Sequence, residues 1–421
     1  MGMKQTEIGE IPEDWDFVKL NQVANFGGGT TPARKNYARY YLHGKHNWVK
    51  TLDLNNSFIY KTSEQITDEA LEETSLKKHP KESVLVAMYG GFNQIGRTGL
   101  LKVDASINQA LVAILPKSDI LNSEYLLFNL NFNVNYWKSV ASSSRKDPNI
   151  TSQDVKNYPI AFSKNLDEQK EIAQVLTDTD NLIQATEQLI HKKQLIKTAT
   201  MQNLLTGKIR LAEFDTKKTK PSELGEIPND WDVRKIGDYS ESFSGGTPLT
   251  SIKEYYNGSI KWITSSDLNQ SFIKEVKGRI SQLGLENSSA KKVKKDTLLI
   301  ALYGATAGVT AITKVDGTIN QAVLALIPKI DDSLFLFYWF TLSKKTIIDT
   351  YTQGGQPNLS GDIIRSISIS LPSLPEQKAI STMLMDMDEE LKTLKERLTK
   401  LNDIKQGLMQ NLLTGKIRLT E

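Results

Sequence analysis

The hydrophobic pattern of this chain changes character twice, in the same way each time. Short apolar runs come first, at residues 83–88 (SVLVAM) and 110–115 (ALVAIL), and they return at 297–302 (TLLIAL) and 322–327 (AVLALI). Runs of this length rich in Val, Ile and Leu and bounded by Gly or Pro predict buried strands. A turn separates each pair, Tyr89-Gly90-Gly91 in one case and Tyr303-Gly304-Ala305 in the other. After Leu166 and again after Pro375, Gly and Pro nearly vanish for about forty residues and the period becomes helical. In the later stretch Ile380, Met387, Leu394, Leu401 and Leu408 are seven apart, with Leu384, Leu391 and Leu398 in a neighbouring row, which is a heptad seam. The earlier stretch has Val175, Leu182, Leu189 and Ile196 beside Leu176, Ile183 and Ile190, but Thr179, Thr186 and Lys193 stand where the other helix carries Met or Leu. A helix from about residue 168 to 205 is roughly 57 Å long. Gly207 and Gly415 fall just past the two helix ends, where a left-handed residue is cheap. An apolar stripe of this length needs a partner, and the other long helix is the nearest one.

The chain is an internal duplication. MQNLLTGKIRL at 201–211 recurs unchanged at 409–419, and earlier segments recur in the same order. Gly9-Glu10-Ile11-Pro12 and Trp15 match Gly225-Glu226-Ile227-Pro228 and Trp231 at an offset of 216, which falls to 212 by Ile107-Asn108-Gln109-Ala110 and to 208 by Glu168-Gln169-Lys170. A unit of this size is too long for a solenoid repeat, so each copy holds its own core and the pair is a pseudo-dimer on one chain. The expected fold is two α/β (α+β) globular domains, residues 1–166 and 221–375, each followed by a long helix, 167–211 and 376–421, with a linker at 212–220. The helices are expected to pack as an antiparallel coiled coil about a pseudo-two-fold axis. B-DNA carries dyads of the same kind, so such helices would hold two domains a set distance apart on one face of a duplex.

Composition narrows the class. The chain has 421 residues, 39% hydrophobic and 24% charged, as ordinary globular proteins do. Zero cysteines exclude disulfides and thiolate zinc sites, and no apolar run is long enough to span a membrane, so a cytoplasmic protein is expected. A net charge of +3 is compatible with a nucleic-acid partner without arguing for one.

A strand-rich domain followed by a long helix ending LLTGKIRL, twice over, resembles the specificity subunit of type I restriction-modification systems. The residues that carry the resemblance are the leading segments at 9–15 and 225–231, the turns Phe26-Gly27-Gly28-Gly29-Thr30-Thr31-Pro32 and 243–248, and the Glu-Gln-Lys triplets at 168–170 and 376–378. It covers the chain from about Ile8 to Leu419. The resemblance implies a non-catalytic subunit whose two target-recognition domains each read one half of a split, asymmetric site on double-stranded DNA. It implies that the helices form the spacer, that two methyltransferase subunits dock on the chain, and that motor-nuclease subunits join them for restriction. S-adenosylmethionine, magnesium and ATP would then sit on the partners, with no cofactor or metal on this chain.

Candidate DNA contacts are basic or polar residues on turns beside the strands: Thr30, Thr31, Arg34, Lys35 and Arg39; Asn93, Gln94 and Arg97; Arg145, Lys146 and Asn149 in the first copy. The second copy offers Thr247, Lys253, Thr306, Thr310, Gln353, Gln356 and Asn358. Arg pairs with guanine and Asn or Gln with adenine, so chemically different loops on matching scaffolds suit two different half-sites. Solvated loops are polar in any case, and many such residues touch only phosphate or nothing. Trp48 and Trp262 read as core residues, while Tyr40-Tyr41 and Tyr255-Tyr256 have no evident role. For partner docking the identity of the repeated segments singles out Gln202, Leu204, Leu205, Lys208, Gln410, Leu412, Leu413 and Lys416, the alternative being a structural cap on each domain.

Enzymatic readings are weaker. The chain has no [ND]PP[FYW] loop for an extruded adenine and no GxxxxGK[ST] for a triphosphate. The triplets at 168–170 and 376–378 fit the loose Glu-x-Lys of metal-dependent nucleases, but they sit at helix starts, where acidic residues favour the dipole. His43 and His46 lack a third ligand nearby. A coiled-coil adaptor without a nucleic-acid role is the remaining alternative.

Overall fold

The computed structural model describes residues 2–91, 93–141, 149–352 and 357–419. Two compact units divide it, residues 1–187 with 396–421, and residues 188–395. The boundary does not fall where the sequence texture changes. Each unit takes one globular domain, the first half of one long helix and the second half of the other. The end of the expected linker is also structured, because Thr219–Ser222 pairs with Gly225–Pro228 in a hairpin, as Met3–Thr6 pairs with Gly9–Pro12.

In the first unit a five-stranded sheet is built from β1 (Ala24–Gly28), β2 (Phe58–Ile59), β3 (Val84–Ala87), β4 (Thr98–Leu101) and β5 (Leu111–Pro116), in the order β1-β5-β3-β4-β2. The second unit repeats it with β6 (Ser240–Ser244), β7 (Phe272–Ile273), β8 (Leu298–Ala301), β9 (Thr310–Thr313) and β10 (Val323–Pro328), ordered β6-β10-β8-β9-β7. The four apolar runs picked from sequence are β3, β5, β8 and β10, and β3 and β8 are buried at every residue, as expected of a sheet covered on both faces. One face is covered in the first unit by helices Ser123–Phe132 and Val134–Val140, and in the second by the single helix Ser333–Tyr351. A smaller sheet adjoins each: three strands in the first unit and four in the second.

The long helices are α1 (Leu166–Leu204) and α2 (Leu374–Leu412). Within the first unit the start of α1 and the end of α2 share one core, Ile172 and Leu176 clustering with Met409, Leu412 and Leu413. Within the second, the end of α1 and the start of α2 do the same, Met201, Leu204 and Leu205 clustering with Ile380 and Leu384. The pairing is therefore antiparallel in both units, and cross-helix ion pairs follow it: Lys405–Asp180 at 2.5 Å in the first, Lys193–Glu390 at 2.7 Å and Lys197–Asp388 in the second. The α2 seam is as expected, with Ile380, Leu384, Leu391 and Leu401 buried and Met387, Leu394, Leu398 and Leu408 half-buried. On α1 the row of Leu176, Ile183 and Ile190 faces in, and of the other row Val175 packs on the core. Ile190 and Thr186 are buried, while Leu182, Leu189 and Ile196 are 41%, 39% and 41% exposed. Among the described residues no helix is long and apolar enough to cross a membrane.

Candidate nucleic-acid interface

Antiparallel register gathers the candidate loops at one edge of each sheet. Val112 pairs with Gly28, Leu111 with Ala87, and Val86 with Thr98, so β1 and β3 end where β5 and β4 begin. The loop residues 29–32, 88–91, 93–97 and 108–110 must therefore emerge together. In the second unit Leu324 pairs with Ser244, Val323 with Ala301, and Ile300 with Thr310, which assembles 245–248, 302–309 and 320–322 in the same way. A further strap joins each edge, since the amide of Ile150 donates to Met88 O at 3.0 Å and that of Leu359 to Leu302 O at 2.8 Å. Thr30, Thr31, Asn93, Gln94, Arg97 and Asn149 thus share one edge, as do Thr247, Thr306 and Asn358. Arg145, Lys146, Gln353 and Gln356 lie outside the described residues.

The turn after the first strand is locked identically in both units. A Cβ on Gly29 would lie 2.1 Å from Ile107 O and one on Gly245 1.8 Å from Ile319 O, so only glycine lets the turn press against the loop before β5 or β10. Trp48 Nε1 donates to Thr30 O at 3.2 Å and Trp262 Nε1 to Gly246 O at 3.3 Å. The Tyr41 and Tyr256 hydroxyls donate to Pro32 O and Pro248 O, both at 2.5 Å. Trp48 is a core residue as expected and Trp262 is half-buried beside its turn, and one tyrosine of each pair has a role that spacing alone does not reveal. Thr31 and Thr247 spend their hydroxyls on Gln109 and Gln321.

Other candidates are placed less favourably for base reading. The Arg34 guanidinium lies 4.2 Å over the Tyr41 ring and grips Glu64 with both terminal nitrogens at 2.5 and 2.8 Å. That grip, helped by Lys50, holds the Glu64 carboxyl below its ordinary value. Arg39 is exposed but paired with Glu73. Arg97 donates to Gln94 at 3.0 Å, whereas Lys35, Lys253, Asn93 and Asn358 are exposed. Thr306 donates to the Tyr303 carbonyl at 3.2 Å. Thr310 is a correction: it is 5% exposed within β9, and its hydroxyl is engaged by Thr341 at 3.1 Å.

The repeated helix-end segments also require correction. Leu204, Leu205, Leu412 and Leu413 are 6%, 0%, 2% and 4% exposed, core residues rather than a docking face; Gln202, Lys208, Gln410 and Lys416 are exposed. Each segment caps the domain that the other copy begins. Gly207, at φ +70°, packs on Pro228 and Trp231, and Gly415, at φ +69°, packs on Pro12 and Trp15. Arg210 binds Glu376 and Asp230 at 2.6–2.9 Å, and Arg418 binds Glu168 and Asp14 at 2.5–2.9 Å. The segments match because they fill matching sockets. Gln169 completes one socket by accepting from the Asn122 amide at 2.8 Å and donating to Ile120 O and Ser163 O; Gln377 accepts from the Asp332 amide and donates to the Asp331 carboxylate and Pro372 O. The Glu-x-Lys triplets are consequently clamps. Their glutamates are buried against arginine, and among the described residues no group of three His, Asp or Glu could hold a metal.

Burial alone would raise the Glu168 carboxyl, but the hydrogen bonds and charge of Arg418 outweigh it and hold it below the ordinary 4.5. A depressed acid contributes stability that is complete above its unfolded value and disappears as pH falls through the lower folded one. Glu168→Gln should cost the first unit about 1–3 kcal/mol at neutral pH. It should also flatten the acid limb of the stability curve below about pH 4.5. Urea midpoints measured from pH 7 to 3 test this, and parallel curves for parent and variant would refute it.

Comparison with known proteins supplies the family. The family described as type I restriction modification DNA specificity domain matches residues 12–194 and 228–405, one match per copy. The MjaVIII specificity subunit of Methanocaldococcus jannaschii, a type I restriction enzyme component, is 26% identical over 97% of this chain and 94% of its own length. The MjaIX specificity subunit of the same organism is 25% identical over 99% and 97%. Among solved structures, the type I S subunit from M. genitalium covers 97% of both chains with a TM-score of 0.60 at 16% identity, a likeness of fold.

Proposed function

The chain belongs to the type I restriction-modification DNA specificity family, and on that footing we propose that the loop-bearing sheet edge of each unit reads one half of a split, asymmetric duplex site. The subunit is non-catalytic. The observation that carries the reading is the pair of matched edges with unlike side chains: the loop after β3 offers Asn93, Gln94 and Arg97, while the shorter loop after β8 offers Thr306. Identical scaffolds with different donors are what two different half-sites need. In this reading Asn149 and Asn358 also face DNA, Lys35 and Lys253 meet phosphate, and Thr30, Thr31 and Thr247 shape the turn. Arg34 and Arg39 brace the adjoining loop. Arg145, Lys146, Gln353 and Gln356 remain proposed contacts on the strength of sequence alone.

The long helices are proposed to set the gap between the half-sites and to seat the methyltransferase subunits, with the motor-nuclease subunits joining that assembly. S-adenosylmethionine, magnesium and ATP would be bound by those partners. The leucines of the helix ends being buried, the docking face is formed by outward apolar positions, such as Leu189, Leu195 and Ile196 on α1 and Met383 and Met385 on α2, all between 38% and 58% exposed. Exposed apolar side chains at this density on a helix support a protein partner.

Co-expression with the methyltransferase subunit followed by methylation mapping of the host genome tests the function. The expected outcome is one motif with two dissimilar halves around a fixed gap, and no cutting of supercoiled plasmid by the purified chain with magnesium. Cutting by the chain alone, or the absence of any methylated motif, would overturn it.

A further inference from the structure

The two edges differ in most of what they present, yet a tyrosine and a glutamine stand at the lip of both. Tyr89 follows β3 and Tyr303 follows β8, each 41% exposed. Gln109 and Gln321, both exposed, stand just before β5 and β10. The Met88 amide donates to Ala110 O and the Leu302 amide to Ala322 O, both at 2.8 Å. These bonds carry each ladder one step past the last paired residues, Leu111 with Ala87 and Val323 with Ala301, and bring Tyr and Gln to neighbouring positions at the lip of the sheet.

Each glutamine is also fixed in orientation. Its Oε1 accepts the hydroxyl of Thr31 or Thr247, on a turn that is itself locked by a tryptophan and a tyrosine. The NH2 group, with two donors, finds no acceptor among the described residues. A loop that reads bases must differ between unlike half-sites; this pair does not differ, so its target is what the half-sites share. We infer that Tyr89 with Gln109, and Tyr303 with Gln321, form a sequence-neutral clamp on the phosphodiester backbone, one per half-site. Phenol O–H and carboxamide N–H are neutral donors suited to phosphate oxygens, and such contacts fix register without carrying sequence information. The clamp sets how far the unlike loops reach towards the bases. This inference rests on the DNA-reading role proposed above.

The full chain assembled with its methyltransferase subunits would be titrated with two duplexes of equal length, one bearing the mapped site and one scrambled. Gln109→Glu with Gln321→Glu keeps the shape and the acceptor for the threonine hydroxyl while replacing the donor by a negative charge. Binding to both duplexes should weaken by the same factor, about tenfold or more, the scale of a lost hydrogen bond or two. Tyr89→Phe with Tyr303→Phe should weaken both by a smaller common factor and leave the salt slope unchanged, since no cation is displaced by a neutral donor. The methylated motif should be the same in every variant. Loss confined to the site-bearing duplex, a motif relaxed at one half, loss of the methyltransferase from a folded chain, or unchanged binding each overturns the clamp alone. A parent complex that binds neither duplex overturns the DNA-reading role and the clamp with it.

Discussion

A chain carrying Leu205→Asp is expected to lose the folded second unit while the first still melts cooperatively. Leu205 is fully buried, in one cluster with Leu204, Ile236, Ile369 and Ile380. Truncating such a leucine to alanine costs about 2–5 kcal/mol. An unpaired carboxylate in the same place costs more, because the cluster around it is apolar. The total of about 5 kcal/mol or more is comparable with the whole stability of many domains, roughly 5–15 kcal/mol. Gln202→Asp, three positions earlier on the exposed face, should stay within about 0.5 kcal/mol of the parent. Calorimetry separates the two: the expected trace for Leu205→Asp has one transition where the parent has two. A parent-like trace would return this leucine to the surface role that sequence identity suggested for it.

Inserting seven residues into both helices, between 187 and 188 and between 395 and 396, is expected to lengthen the gap of the methylated motif by about three base pairs. Seven residues keep every seam position in step and add about 10.5 Å of helix, against a rise of about 3.4 Å per base pair. The two half-sites should be unchanged. The same insertion in α1 alone shifts its seam past that of α2 and should abolish methylation. Genome mapping reads both outcomes, and an unaltered gap in the double insertion would remove the spacer role from the helices.

How much of this was legible beforehand varied with the distance over which the determining contacts act. The strands β3, β5, β8 and β10 and the α2 seam were legible because their signals are local runs and spacings. On α1 the rows containing Leu189 and Ile190 obey the heptad equally well, and spacing cannot tell which row meets a partner; the structure exposes Leu182, Leu189 and Ile196 of the first and buries Leu176 and Ile190 of the second. The duplication is plain in the sequence, but the reason for its most faithfully repeated segment is not. Arg210 reaches Glu376 across 166 positions and Arg418 reaches Glu168 across 250. The repeated Arg and the repeated Glu were both visible in the sequence, and their pairing across copies would have identified the cap. At the interface, the edge that collects the loops depends on β5 lying between β1 and β3, a non-local order that no run of residues encodes. Thr310 was misplaced for the same reason: its polar character suggested a loop, whereas its neighbour across the ladder, Ile300, puts it in a buried strand.

The exchange of caps imposes a schedule on biosynthesis. The second unit is continuous, residues 188–395, and has all its parts as soon as α2 is half made. The first must wait for residues 396–421, whose Met409, Leu412 and Leu413 fill its core and whose Arg418 neutralises Glu168. With more than 200 residues between, a ribosome adding about 5–20 per second leaves that domain open for on the order of ten seconds or longer. During that interval the apolar core of the first unit stays open to water, the condition under which nascent chains aggregate or are held by chaperones.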